Sequence, residues 1–292
     1  MHKTFDTPGD LQVVVDNAVG HVSIKTADAP TSSVTLEADT PDAQDLIDRA
    51  TVECEPFGDR HVLRVKIPHR YGPRFMRRNG VTVRCVMSSG GDVEVETASA
   101  DVELSGVFGA LVLKTASGDI DADGSSAAVM VKTASGDVVI GQADGSVRLK
   151  SASGDLRASQ VDGSLSAVTA SGNIDVGAAC GRTELRCTSG EVRLGLVEGD
   201  ASIVAVSGDV RVSSCTAGRL QVRSVSGDVT VGIAEGVNLG LDAESMSGTV
   251  RSDIPLSDIP VSREGNSDVF VTARSVSGDV IFERAADAFA YE

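Results

Sequence analysis

The sequence predicts an all-β chain wound as a parallel β-solenoid of about ten 18-residue coils, and three observations carry that reading. A tetrapeptide close to Ala-Ser-Gly-Asp recurs, with its serines at Ser99, Ser117, Ser135, Ser153, Ser171, Ser189, Ser207, Ser226, Ser247 and Ser277. Six consecutive steps between them are 18 residues, and the last three are 19, 21 and 30. A second glycine, as at Gly109, Gly145, Gly163, Gly181 and Gly199, stands nine residues from its neighbours and divides each unit into two short strands and two turns. The third observation is compositional. With 31 glycines, 3% aromatic residues and no tryptophan, small aliphatic side chains must fill a thin, layered core.

Residues 1–80 do not keep the period and are expected as a β-rich cap, because the open edge of a solenoid would otherwise pair with another chain. Strands are expected over 11–15, 22–26, 33–38, 52–55 and 62–67. One short helix is expected through AQDLIDRA, with Thr40 as its N-cap and Pro41 in its first position. A basic loop over 66–80 ends the cap, since PHRYGPRFMRRNG carries Pro68, Gly72, Pro73 and Gly80.

From 81 to 284 the coils follow, and alternation assigns their faces. In GSVRLKSASGDLRA, Val147, Leu149, Ser151 and Ser153 share the inner face while Arg148 and Lys150 point out. Parity flips across Gly154-Asp155, so Leu156 and Ala158 point in. Two inner columns result: Leu113, Val131, Leu149, Ala167, Leu185, Ile203, Val222, and Ile120, Val138, Leu156, Ile174, Val192, Val210, Val229. Parallel crossovers predict a right-handed winding. The 30-residue interval holds an insertion, 252–268, with two Ile-Pro pairs, expected as a loop projecting from the last coil. The tail, 285–292, is expected to fold over the C-terminal edge as a short helix.

Composition narrows the function classes. The chain has 42 acidic and 26 basic residues and a net charge of −16, which argues against nucleic acid or anionic lipid on the bulk surface. No apolar run approaches the roughly 18 residues of a membrane span, and the opening MHKTFDTPGD has no Sec-type hydrophobic segment, so a cytoplasmic location is expected. Cys54, Cys85, Cys180, Cys187 and Cys215 are odd in number and contain no CxxC pair, which suits reduced thiols used as small apolar side chains. Catalysis is not expected. The four histidines, His2, His21, His61 and His69, lie in the cap without ligand or triad spacing, and no GxGxxG or P-loop is present. No cofactor is implied.

Three features are candidates for binding. An acidic ladder follows the glycines: Asp101, Asp119, Asp137, Asp155, Asn173, Glu191, Asp209, Asp228 and Asp279. Like charges one strand spacing apart cost about 0.9 kcal/mol per pair even in water, so turn amides are expected to offset them. Calcium is disfavoured, because Asp137 directly precedes Val138, whereas calcium-binding nonapeptide repeats place Asp two residues before the apolar position.

The second feature is an outward basic column, Lys114, Lys132, Lys150, Arg186, Arg223 and Arg274, interrupted by Val168, Val204 and Glu244. Beside it, Ala116, Ala134, Ala152 and Ala170 give way to Thr188, Val206, Val225, Met246 and Val276. That drift marks Val204, Val206, Val225 and Met246 as a candidate partner-binding strip. The third lies between Arg60 and Gly91, where eight bases meet no acid. Within it, Lys66, Arg70, Tyr71, Arg74, Phe75, Arg77 and Arg78 form a candidate binding arm for a protein partner, and the one segment suited to nucleic acid.

The opening FDTPGDLQVVVDNAVGHVSI, the segment VTVRCVMSSGGDVEVETASADVEL, the successive KTASGDI and SVSGDV coils, and LDAESMSGTVRSDI with VFVTARSVSGDVIFE resemble a bacterial adhesin-type β-strand-repeat family, formally a domain of unknown function. The resemblance covers nearly the whole chain. It implies a solenoid without established catalytic residues, and a signalling or scaffold role, since some relatives are associated with envelope stress. The expected function is a non-catalytic scaffold or interaction module that binds a protein partner or itself. An acidic rod mimicking nucleic acid, or a glycan-directed adhesin, is the alternative.

Overall fold

The computed structural model describes residues 1–68, 80–254 and 268–285. The chain divides into two compact units, Met1–Asp144 and Gly145–Glu292. Of the expected features, most of the basic loop, the insertion beyond Ile254 and the tail beyond Ala285 lie outside the described residues.

The first unit opens with β1 (His2–Asp6), β2 (Asp10–Asp16), β3 (Gly20–Ala27) and β4 (Thr31–Ala38), then turns through Pro41–Ala43 into helix α1 (Gln44–Asp48). It continues as β5 (Thr51–Phe57), β6 (Arg60–Lys66), β7 (Val81–Ser88), β8 (Asp92–Glu96), β9 (Asp101–Lys114), β10 (Ile120–Lys132) and β11 (Val138–Ala143). The expected helix start is instead a 3-10 turn: Thr40, extended at φ −141°, precedes Pro41 without a side-chain cap hydrogen bond, and α1 follows with Ala43 at its N-cap, burying Leu46 and Ile47 beside β4. All five expected strands are present. The sixth, β1, gave no sequence signal because four of its five residues are exposed, and its hold is the backbone ladder to β4.

Parallel winding begins at Asp10, within the region expected as cap. β2 lies between β6 and β8, and β3 between β7 and the first half of β9, all parallel. The coil made by β2 and β3, first in sequence, is therefore not the outermost one. The coil outside it, β6 with β7, is covered by antiparallel strands: β5 on β6, and β4 on β7 with β1 beyond it. Antiparallel cover stops further parallel addition at that edge. On the inner side β9 pairs with β10 along nearly its whole length and β10 pairs with β11, which brings Leu113 beside Val131 and Ile120 beside Val138.

The second unit runs β12 (Val147–Lys150), β13 (Leu156–Val161), β14 (Leu165–Ser171), β15 (Ile174–Ala179), β16 (Thr183–Ser189), β17 (Val192–Val197), β18 (Ala201–Ser207), β19 (Val210–Cys215), β20 (Gly218–Ser226) and β21 (Val229–Ile233). It ends with β22 (Asn238–Ser245), β23 (Val250–Ser252), β24 (Asp268–Ser277) and β25 (Val280–Arg284). Alternate strands pair in parallel, and the inner columns form as the periodicity predicts. Leu149, Ala167, Leu185, Ile203 and Val222 are in register, none more than 1% exposed. Leu156, Ile174, Val192, Val210 and Val229 form the second column.

The order of the final coils departs from expectation. β24 pairs with β20 on one side and β22 on the other, and β25 lies between β21 and β23. The last coil in sequence is thus inserted one place inward, and the coil of β22 and β23 is outermost among the described residues. Burial follows this order. Val280 and Val229 are fully buried, whereas Val250, at the same position in the outermost coil, is 46% exposed. In chain order the insertion follows the outermost coil at Ser252 and precedes its inner neighbour at Asp268, and its residues 255–267 lie outside the described residues.

Candidate interaction surfaces

The glycine turns set the geometry of the acidic ladder. In the first unit the Asp119 amide donates to Asp101 Oδ1 at 3.1 Å and the Asp137 amide to Asp119 Oδ1 at 2.9 Å. In the second, Asn173 donates to Asp155, Glu191 to Asn173, and Asp228 to Asp209, at 2.8 to 2.9 Å. The ladder then runs Asp228, Asp279, Thr249, each amide donating to the preceding carboxylate at 2.8 Å, which traces the inserted coil independently. The ladder oxygens thus accept turn amides of the next coil. Asn173 shows that an amide oxygen serves as well as a carboxylate.

Two carboxylates respond in opposite directions. The Thr249 amide holds Asp279 below its ordinary value, so that interaction stabilises the fold above the carboxylate range and is lost as pH falls through it. Burial, reinforced by Asp123 and Glu103, raises Asp121. Replacing Asp119 by Asn is expected to leave stability within about 0.5 kcal/mol, because acceptor loss is avoided and repulsion is relieved, while Asp119→Ala costs about 1 kcal/mol. Urea midpoints of the two variants check this, and equal losses would mean that the charge, not the acceptor, matters. Among the described residues no three His, Cys, Asp or Glu side chains come together as a metal site.

The five cysteines are free thiols, and Cys85 and Cys215 stand in register with aliphatic residues, Ile24 and Val34 for the first and Val197 and Ile233 for the second. Cys187 is in register with Thr169 and Ala205, and its thiol points at the Gly172 carbonyl at 3.4 Å. Burial pushes Cys85 up to about 12 and Cys215 up to about 11, which removes thiolate reactivity at neutral pH.

Much of the basic column is charge-compensated. Lys114 reaches Glu94 at 3.4 Å, Arg186 pairs with Glu184, and Arg274 approaches Asp242 at 3.8 Å. Such exposed pairs contribute at most about 1 kcal/mol each. In the basic N-terminal region, Arg60 faces Asp92 at 3.8 Å and Arg84 pairs with Glu37. Lys66 is exposed at the end of β6, while Arg70, Tyr71, Arg74, Phe75, Arg77 and Arg78 lie outside the described residues.

The apolar strip is brought together, with one change of order. Ladder registers set Val206 beside Val225 and Val225 beside Val276, and the Met246 amide bonds to Ser275 next to Val276. The strip reads Val206, Val225, Val276, Met246, with exposures of 43%, 49%, 46% and 77%. Val204 is half-buried on the same face of β18, two residues away. Val276 closes what would be a gap between Val225 and Met246, which chain order hides. Phe270 was missed: it is 50% exposed on the same face of β24, and its ring lies over the bare backbone of Gly240. Its signal was an aromatic side chain at an outward position of a strand whose other outward residues include Thr272 and Arg274. Between strip and ring lies a shallow depression lined by Gln221, Arg223, Asp242, Thr272 and Arg274. No helix among the described residues is long and apolar enough to cross a membrane.

Solved structures similar to the chain include a candidate cell adhesion protein from Clostridium sporogenes, 9% identical over 97% of this chain and 99% of that one, with a TM-score of 0.24. Two from Parabacteroides distasonis each cover 97% of this chain and 96% of their own. One is a candidate adhesin at 14% identity and a TM-score of 0.36, the other a candidate lipid binding protein at 12% and 0.40. No curated protein matches. The sequence profile of the family described as Toastrack DUF4097 matches residues 81–180 and again residues 177–283, and by that match the chain belongs to the Toastrack DUF4097 family.

Proposed function

We propose that this chain is a non-catalytic interaction module whose outer sheet face binds a protein partner through Val204, Val206, Val225, Val276 and Met246. One observation carries the reading: four exposed apolar side chains stand in consecutive positions across adjacent strands, at the column occupied earlier in the chain by Ala and Thr. A solvated sheet face has no use for them, and adjacent apolar residues of this kind mark interfaces. Arg223 and Arg274 flank the strip and Phe270 lies beyond them, so the partner surface combines an apolar ridge with acidic or hydrogen-bonding groups. The basic segment around Lys66, Arg70, Arg74, Arg77 and Arg78 supplies a second contact. Envelope-stress signalling is the process that the family resemblance supports.

The test is capture of partners from a native cell extract with three full-length proteins: wild type, V225E/V276E, and a variant with Arg70, Arg74, Arg77 and Arg78 changed to Ser. The strip variant is expected to retain at least tenfold less partner while its stability stays within about 0.5 kcal/mol per exposed substitution. Undiminished capture by a folded V225E/V276E protein overturns the strip as the binding face. Undiminished capture by the four-Arg variant removes the second contact.

A further inference from the structure

The inserted last coil occupies a slot with two prepared edges. β24 and β25 meet β20 and β21 on one side and β22 and β23 on the other, with ladder pairing on both. The coil brings its own core: Val269, Val271, Ala273, Val280 and Phe282 are all at most 1% exposed. It is recognised by features that the neighbouring coil repeats, since Arg274–Val280 reads RSVSGDV and so does Arg223–Val229.

The way this coil is tethered differs from the rest of its unit. Elsewhere two to four residues join the end of one coil to the start of the next, as between Cys215 and Gly218 or Ile233 and Asn238. Between Ser252 and Asp268 there are fifteen, 253–267. A tether of that length spans up to roughly 50 Å when extended, several coil spacings. Leaving the slot also releases the coil of β22 and β23, whose ladder pairs are with β24 and β25, but leaves β12 to β21 wound. With the coil gone, β20 and β21 present unpaired backbone edges over an uncovered core, which a coil of the same pattern can cover, with β22 and β23 then pairing on its outer side.

We infer that this slot is an exchange site that accepts the last coil, Asp268–Arg284, of a second copy of the chain. In a reciprocal pair every ladder bond and buried contact of two separate chains is remade, so the exchange is opposed by association entropy and by the transient loss of the coil, not by lost contacts. The competing occupant is the chain's own coil at the high local concentration its tether enforces, on the order of millimolar, so the exchanged pair forms at high protein concentration or during refolding. This inference is independent of the partner strip.

The test uses two full-length variants, R223C and R274C. These positions are directly opposed across β20 and β24, at a spacing a disulfide can bridge, and both side chains are exposed. Within one chain of either variant the second cysteine of the pair is missing, so a 223–274 disulfide must join two chains, and links made by collision of the exposed thiols are measured with the folded variants mixed at the same concentration without refolding. The variants are mixed, refolded together at about millimolar concentration and oxidised, and the linked peptides are identified by mass. The expected result is a 223–274 linked dimer at least tenfold above the level seen when the folded variants are mixed at the same concentration without refolding. The R223C/R274C double variant, oxidised while monomeric, must close its own disulfide and then form no dimer on concentration. If the double variant closes but the co-refolded mixture yields no 223–274 link above that of the folded mixture at equal concentration, the coil does not exchange and the inference fails.

Discussion

Gly208→Ala is expected to lower stability by about 4 kcal/mol, the sum of backbone strain and overpacking. Gly208 has φ +133°, a conformation that L side chains rarely adopt. A Cβ placed there would also press on the carbonyl oxygen of Gly190, one coil below, deep inside van der Waals contact. Neither neighbour can yield. Gly190 rests in the same way on Gly172, and Gly227 on Gly208, so the strain would pass along a column of backbone rather than into a flexible side chain. Gly58→Ala is the control, because Gly58 has φ +65° but nothing within 4 Å of its added Cβ, and about 1 kcal/mol is expected. Urea denaturation of both variants separates the two causes. Equal losses would mean that conformation alone matters and that the glycine column is not close-packed.

Phe282→Ala is expected to cost about 3–5 kcal/mol, the range for removing a buried aromatic ring. Phe282 is among the largest fully buried side chains and belongs to the inserted coil, in register with Val231 on one side and Ser252 on the other. Its backbone carbonyl accepts the Asp253 amide at 2.9 Å, so the outermost coil is held partly through this residue. Phe282→Leu should recover most of the loss. The location of the damage is the sharper readout: hydrogen exchange should accelerate first in β22 to β25, while β14 to β17 keep their protection. Uniform acceleration throughout the second unit would show that the inserted coil is not a separate stabilising element.

The candidate strip was partly legible before the structure. Outward parity and the drift from Ala116 and Ala134 to Val206 and Val225 identify the column, because alternation in a strand assigns faces without knowledge of neighbours. Adjacency was not legible. Val276 is 51 residues from Val225 in sequence yet beside it in the sheet, and Met246 is one coil farther out rather than between them. Phe270 escaped notice because its role depends on Gly240 lying against its ring, a contact between strands that chain order separates.

Periodicity and alternation along the chain specify the coil: its 18-residue length, its two strands, which side chains face inward, and the turn in which glycine is followed by a side-chain oxygen acceptor. Each of these depends on interactions within one repeat, or between a repeat and any other of the same pattern. That generality is also what the repeat pattern left open. Coils reading RSVSGDV at 223–229 and 274–280 satisfy the same ladder in any order, so periodicity cannot say which coil lies against which. The tertiary structure decided the order at both ends, placing β2 with β3 inside β6 with β7, and β24 with β25 inside β22 with β23. The physical reason is burial. Val13, Val22, Val280 and Phe282 are fully buried only because their coils are flanked on both sides, whereas Val250, in a coil with one described neighbour, stays half exposed.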